Sequence, residues 1–186
     1  MRCFVAFDLP RPVRNHLAKV TAPLRERYDI RWVPPEQMHV TVLFAGDVGR
    51  DAVDVLAERV ERCELAPLSL QLQPLGVFPP RGIPRVVWAG LGGDTAALRA
   101  TQEQFEAVAE PLGIPREKRA FTPHVTLGRV KSPFGALALI DQLAERSADL
   151  KDKPFEAPSL TLYESVLTPQ GPRHEVVTRR AAGGAF

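Results

Sequence analysis

The chain has 186 residues, 45% of them hydrophobic and 25% charged, with a formal net charge of +2. That length favours one compact domain or two small packed lobes, and it buries a core without needing disulfides or structural metal. With so little net charge, any preference for polyanions must come from local clusters. Residues 2–8 then read as a strand rich in β-formers. A helix follows from about Pro10 to Tyr28, its stripe set by Val13, Leu17, Val20, Leu24 and Tyr28 at spacings of three and four. Trp32-Val33 is extended, and a strand from about Met38 to Phe44 is closed by Ala45-Gly46-Asp47. A second helix runs from about Asp51 to Glu64, and Leu68, Leu70 and Leu72 alternate with polar residues as a half-buried strand.

After the turn-rich Phe78-Pro79-Pro80-Arg81-Gly82, the order begins again. Arg85–Leu91 reads as a strand, and about Asp94–Leu112 as a helix carrying Leu98, Phe105, Val108 and Leu112. A strand is expected at about Pro123–Val130 and a helix at about Phe134–Leu150, with Leu137, Ile140 and Leu143 inward. Strands near Ser159–Leu167 and Glu175–Arg179 close the chain before a Gly/Ala tail expected to fray. Strand, helix, strand, helix, strand therefore occurs twice, which marks the duplication of one supersecondary unit over approximately residues 1–84 and 85–180. The predicted fold class is α+β and bilobal. Two pseudo-twofold-related units of mainly antiparallel sheet carry helices outside, with a cleft between the lobes that holds the site. Cys3 and Cys63 lack a CxxC partner and read as free thiols of a reducing compartment. The N-terminal apolar run is too short for a secretory signal and no stretch reaches membrane-spanning length, so a cytoplasmic location is expected.

The strongest local signal is His39-Val40-Thr41-Val42 set against His124-Val125-Thr126-Leu127. Alternate strand residues share a face, so each strand offers an imidazole and a hydroxyl to one side while its apolar residues enter a core. His124 stands 85 residues after His39, in the equivalent strand of the second half. A pseudo-twofold brings both pairs to one cleft. In-line displacement at phosphorus needs a base for the attacking oxygen and an acid opposite for the leaving oxygen, and two histidines supply both near neutral pH. Thr41 and Thr126 hydroxyls can hold the non-bridging phosphate oxygens. No His-x-x-x-His, CxxC or clustered acid stands near these strands, so neither a metal nor any other cofactor is expected. G-x-S-x-G and G-x-x-x-x-G-K-[ST] are also missing, and Gly90-Leu91-Gly92-Gly93 reads as a turn before a helix N-cap.

These motifs resemble the twin HxTx motifs of the two-histidine phosphoesterase superfamily, and more closely its bacterial and archaeal RNA 2′,3′-cyclic phosphodiesterases, also called 2′-5′ RNA ligases. The likeness extends to Arg2–Ala6, Trp32-Val33, Phe44-Ala45-Gly46, Gly76–Pro79, Arg85–Leu91, Phe121-Thr122-Pro123 and Leu167–Pro172, so nearly the whole chain is covered in the family's order. The resemblance implies hydrolysis of a terminal 2′,3′-cyclic phosphate to a 2′-phosphate. It makes His39 the donor to the 3′ leaving oxygen, His124 the acceptor that activates water, and Thr41 and Thr126 the phosphate holders. The partners it implies are RNA with 2′,3′-cyclic phosphate ends, or nucleoside 2′,3′-cyclic phosphates; separately, no membrane partner and a monomeric protein are expected. Two departures bear on substrate contacts. Gly128 replaces the commoner alanine and is expected to loosen the strand, and His174 stands where an aromatic residue is usual.

Weaker candidates surround these. Phe44 could stack on a base at the cleft rim, although core packing is the stronger expectation. Strand parity puts Arg129 opposite His124 and Thr126, so its reaching phosphate requires a bend. Lys118-Arg119, Arg173 and Arg179-Arg180 could line an RNA path, and His16 reads as an exposed surface residue. Two alternatives stay open: joining of RNA halves through a 2′-5′ bond in the same site, and a non-catalytic RNA-end binder.

Overall fold

A computed structural model describes residues 1–132, 134–151 and 153–183. These residues form β1 (Arg2–Asp8), α1 (Arg11–Thr21), β2 (Ile30–Trp32), β3 (His39–Asp47), α2 (Arg50–Glu61), β4 (Ser69–Phe78) and β5 (Val86–Gly93). There follow α3 (Thr95–Ala109), β6 (His124–Val130), α4 (Ala136–Ser147), β7 (Phe155–Glu156), β8 (Ser159–Thr168) and β9 (Gly171–Ala181). The expected alternation is present in both halves. Two helices are shorter than their apolar stripes suggest, for one shared reason. The α1 helix gives way to a 3-10 turn at Ala22–Leu24, around Pro23, and α3 gives way to one at Glu110–Leu112, around Pro111. Proline offers no N–H to the carbonyl four residues back, so a tighter turn finishes each helix. The same x-Pro-Leu ending in equivalent places is a further echo of the repeat.

The strands pair antiparallel in two sheets, ordered β3-β1-β8-β9 and β2-β6-β5-β4-β7. In each sheet the HxTx strand pairs with the first strand of its own half, β3 on β1 and β6 on β5. The free side of that first strand takes a long strand from the other half, β8 on β1 and β4 on β5. The two lobes are thus not the two sequence halves; each sheet includes two strands from the other half. Helices follow the same exchange. The β3-β1-β8-β9 sheet is backed by α2 and α3, whereas α4 lies on β4 with α1 packed beside it.

Alternation explains the core. Cys3, Val5 and Phe7 of β1 meet Val40 and Val42 of β3 and Leu160 and Leu162 of β8. In the other lobe Val87, Ala89 and Leu91 of β5 lie beside Val125 and Leu127 of β6. Each sheet thereby hides one face under helices and keeps the other for the cleft. One stripe differs from expectation. On α4, Leu139 and Leu143 are buried, while Leu137 and Ile140 are 78% and 40% exposed. Leu137 and Leu139 are separated by about 200° around the helix, so they cannot both face the sheet. No helix among the described residues is long and apolar enough to cross a membrane. The Gly/Ala tail runs past residue 183 and lies in part outside the described residues.

Candidate active site

Both HxTx strands show the burial their alternation predicts. His39, Thr41, His124 and Thr126 are half-buried, while Val40, Val42, Val125 and Leu127 are buried. The regularity then breaks at the same place in each. Along β1–β3, Ala6 pairs with Thr41 and Val5 with Leu43, passing over Val42. Along β5–β6, Trp88 pairs with Thr126 and Val87 with Gly128, passing over Leu127. Two consecutive residues of each motif strand oppose one on the partner, as in a β-bulge, and both point inward. The bulge reverses the parity of the residues that follow it, as far as Phe44 in β3, where Ala45 is passed over in turn, and as far as Arg129 in β6. Phe44 and Arg129 accordingly return to the face of the histidine and threonine, which corrects the parity argument placing Arg129 on the opposite face. The expected core packing of Phe44 is also overturned. Its ring is 56% exposed, with the Arg2 guanidinium 5.3 Å from its centroid.

The histidines are held alike. His39 Nδ1 lies 2.7 Å from the Gln37 carbonyl oxygen, and His124 Nδ1 lies 2.7 Å from that of Thr122. A carbonyl only accepts, so each Nδ1 carries a proton and donates it. Each neutral ring is thereby fixed as the tautomer with a bare, basic Nε2. Neither Thr41 nor Thr126 has a hydroxyl partner among the described residues, unlike Thr21, Thr101, Thr161 and Thr178. The strands carrying the two motifs, β3 and β6, lie against each other where the lobes meet.

The surroundings of the two rings differ. His39 stacks on Phe4 at 4.7 Å, with the His174 ring edge-on at 5.4 Å. Burial pushes His39 down to about 4; the Gln37 carbonyl and the Asp8 carboxylate pull the other way, and His174 and His124 add to the depression. His124 meets Phe78 edge-on at 5.1 Å and Trp88 at 6.3 Å, and burial lowers its pKa also. The Trp88 indole lies flat over Gly76, where an added Cβ would sit 2.4 Å from Trp88 Cζ2. Only glycine leaves room for that ring beside the histidine.

Sequence reasoning missed the polar cluster beneath His39. Asp8 ends β1 directly opposite His39. It accepts hydrogen bonds from Ser159 at 2.5 Å, Thr161 at 2.8 Å and the Tyr163 hydroxyl, and it pairs with Arg179 at 3.2 Å. A lone acid closing an apolar strand was the available signal; its partners lie more than 150 residues away. Gly90 occupies the place opposite His124. The run Gly90–Gly93 belongs to β5 and is not a turn. His174 keeps an aromatic role in place of the usual ring, edge-on to Phe4 at 4.8 Å, and its buried Nδ1 has no hydrogen-bond partner among the described residues. Gly128 does not loosen β6 as expected. An added Cβ would lie 2.5 Å from Ile30 Cγ2 and 3.2 Å from Trp32 Cε3, so β2 is seated tightly against it. His16 is half-buried, its Nε2 accepting the Lys151 backbone N–H at 3.1 Å.

Two cavities open along the cleft. One of about 460 Å³ is lined by His39, Gln37, Tyr163, Arg173, His174 and Arg179. The second, of about 400 Å³, is lined by Arg31, Trp32, Arg129, Gln170, Arg173 and His174. Thr41, Thr126 and His124 line neither. Of the basic residues considered for an RNA path, Arg173 borders both cavities. Lys118 and Arg119 border neither, and Arg119 spends its guanidinium on Glu117. Among the described residues no three His, Cys, Asp or Glu side chains converge as a metal ligand set would.

Residues 9–168 match the family model of the 2′-5′ RNA ligase superfamily. A protein of Aeropyrum pernix named RNA 2′,3′-cyclic phosphodiesterase is 32% identical over 165 residues, covering 89% of this chain and 90% of that one. A relative of the same name from Methanocaldococcus jannaschii is 32% identical over 177 residues, covering 95% and 98%. The crystal structure of TT0787 from Thermus thermophilus has the same fold, with a TM-score of 0.83 at 29% identity over 100% of both chains. The chain belongs to the 2′-5′ RNA ligase superfamily.

Proposed function

We propose that this protein is an RNA 2′,3′-cyclic phosphodiesterase that opens terminal cyclic phosphates to 2′-phosphates, working without a metal as one catalytic unit built from both halves. The names of its relatives support the reaction class. The observation that carries the reading is the matched pair of imidazoles, each fixed through Nδ1 at 2.7 Å and each presenting a bare Nε2 from one of two adjoining strands.

In the reaction, His124 Nε2 takes a proton from water as the water oxygen attacks phosphorus. The P–O3′ bond breaks on the opposite side, and O3′ takes the proton carried by His39 Nε2, leaving the phosphate on O2′. Thr41 and Thr126 donate their uncommitted hydroxyls to the non-bridging oxygens, where charge is held as the fifth oxygen arrives. The substrate is a cyclic phosphate at an RNA end or on a nucleoside. Two free buried cysteines fit a cytoplasmic location, and the reading needs only a monomer. Incubation with a nucleoside 2′,3′-cyclic phosphate in excess EDTA should yield the 2′-phosphate, and His39→Ala or His124→Ala should each lower turnover by about 10²–10⁴. Formation of the 3′-phosphate, or complete loss in EDTA, would overturn the mechanism. Affinity for RNA ends without turnover in the parent protein would make it a binder.

A further inference from the structure

We infer that the groove between β2, β6 and the β8–β9 hairpin is a second phosphate subsite. It takes the internucleotide phosphate one nucleotide before the cyclic end, so that an oligonucleotide is a better substrate than a mononucleotide. The inference rests on the reaction proposed above and adds the substrate's length to it.

The groove is the cavity of about 400 Å³ containing Arg31, Arg129 and Arg173. It shares Gln37, Arg173 and His174 with the cavity beside His39, so a chain reaching the one continues into the other. Arg31 and Arg129 are directly opposite each other across the β2–β6 ladder. Like charges in that relation destabilise a sheet. Neither arginine makes an ion pair among the described residues, although Arg50, Arg62, Arg116, Arg119, Arg146, Arg173 and Arg179 each do. Stability alone therefore gives no reason for the pair, whereas a phosphate between them does, since guanidinium groups grip phosphate oxygens with charge-assisted bonds.

Position supports the same reading. The bulge after Thr126 turns Arg129 to the His124 face. Across the groove, Arg31 Cδ lies 3.9 Å from where a Cβ on Gly171 would be, so its stem reaches toward the β8–β9 hairpin of the other lobe. No carboxylate lines the groove among the described residues: Glu175 holds Arg173, and Glu36 borders the neighbouring cavity instead. Trp32 already has the Arg25 guanidinium 5.8 Å from its ring centroid. The groove thus reads charge, and no base preference is expected from it.

Two measurements test this. The first compares kcat/KM for a dinucleotide and a nucleoside, each ending in a 2′,3′-cyclic phosphate, in the wild-type protein and in Arg31→Ala, Arg31→Gln, Arg129→Ala and Arg119→Ala. The wild type should prefer the dinucleotide, more strongly at low salt. Either groove variant should lower that ratio about tenfold, the scale of one charge-assisted contact, and Arg119→Ala should leave it unchanged. The second measures calorimetric affinity for a nucleoside 2′,5′-bisphosphate against the 2′-monophosphate and needs no turnover. The bisphosphate should bind more tightly, with an advantage that Arg31→Ala removes. Equal kcat/KM for both lengths, or a ratio untouched by the groove variants, overturns the inference and leaves the phosphodiesterase reading in place. Absence of turnover together with an Arg31-dependent preference for the bisphosphate overturns the phosphodiesterase reading and keeps the subsite.

Discussion

The proton on His39 provides the sharpest test of how the cleft works. In the free protein its pKa is pushed down to about 4, chiefly by burial against Phe4 and its neighbours. At pH 7, three units higher, about one molecule in a thousand then carries the proton that the proposed mechanism delivers to the leaving oxygen. Restoring it calls for about 4 kcal/mol, at 1.36 kcal/mol per unit. An anionic phosphate held about 4 Å from the ring in a partly dry cleft supplies about that much. The substrate, on this view, charges its own acid. The perturbation is therefore ligand binding, read by NMR titration of the imidazoles with and without a nucleoside 2′-monophosphate. His39 should titrate near 4 when free, as the Nδ1-protonated tautomer, and two to three units higher when the product is bound. Kinetics should follow, because kcat/KM reports the free enzyme and kcat the complex. The kcat/KM profile should peak on the acid side of 6.5, since His124 is lowered as well, with the kcat profile displaced to higher pH. A free His39 titrating at 6.5 or above, or one unmoved by product, refutes the reasoning.

Two further outcomes follow from the neighbours of the rings. Asp8→Asn removes the carboxylate that raises His39 and leaves Arg179 without its partner. It should lower kcat/KM at neutral pH, and by less as the pH falls; a profile with unchanged shape and height would sink this role. Gly76→Ala places a methyl group 2.4 Å from Trp88 Cζ2 and must displace the indole beside His124. It should lower stability by about 1–3 kcal/mol in denaturant melts and depress kcat, whereas an unperturbed Trp88 environment and full activity would show that the close fit is dispensable.

What the sequence conveyed and what it withheld divide along a physical line. Local periodicity carried the order of elements, because alternation and the three-to-four stripe are written in neighbouring residues. The facing of His39 and Thr41, and of His124 and Thr126, was legible for the same reason. Phe44 and Arg129 were misplaced because a bulge is decided by the partner strand: nothing in Val42-Leu43 or Leu127-Gly128 announces that both will turn inward. Leu137 and Ile140 were misassigned because α4 is apolar on more than one side, and only the packed sheet selects Leu139 and Leu143. The Asp8 cluster, of which only the lone acid itself showed, was missed for a third reason. Its donors on β8 become neighbours only through the strand exchange between halves, which no pattern within either half records.

That exchange bears on how a duplicated unit comes to perform a one-way reaction. Two equivalent motifs, with equivalent bulges and equivalent Nδ1 anchors, would make His39 and His124 interchangeable. A proton donor and a proton acceptor must differ. The difference lies one strand away, in the residue opposite each imidazole: Asp8 with its ring of hydroxyls and Arg179 beneath His39, and Gly90 beneath His124. A carboxylate favours the imidazolium once an anion has lifted the ring toward neutrality, whereas a glycine with Trp88 and Phe78 alongside favours the neutral base. On the proposed mechanism the acid lies on the side that holds the carboxylate, and the difference between the two sides stands in the supporting strand and not in the motif. Exchanging the pair, with Asp8→Gly and Gly90→Asp in one chain, should weaken the assigned direction without restoring it in reverse, because the donors from Ser159, Thr161 and Tyr163 stay on the first side.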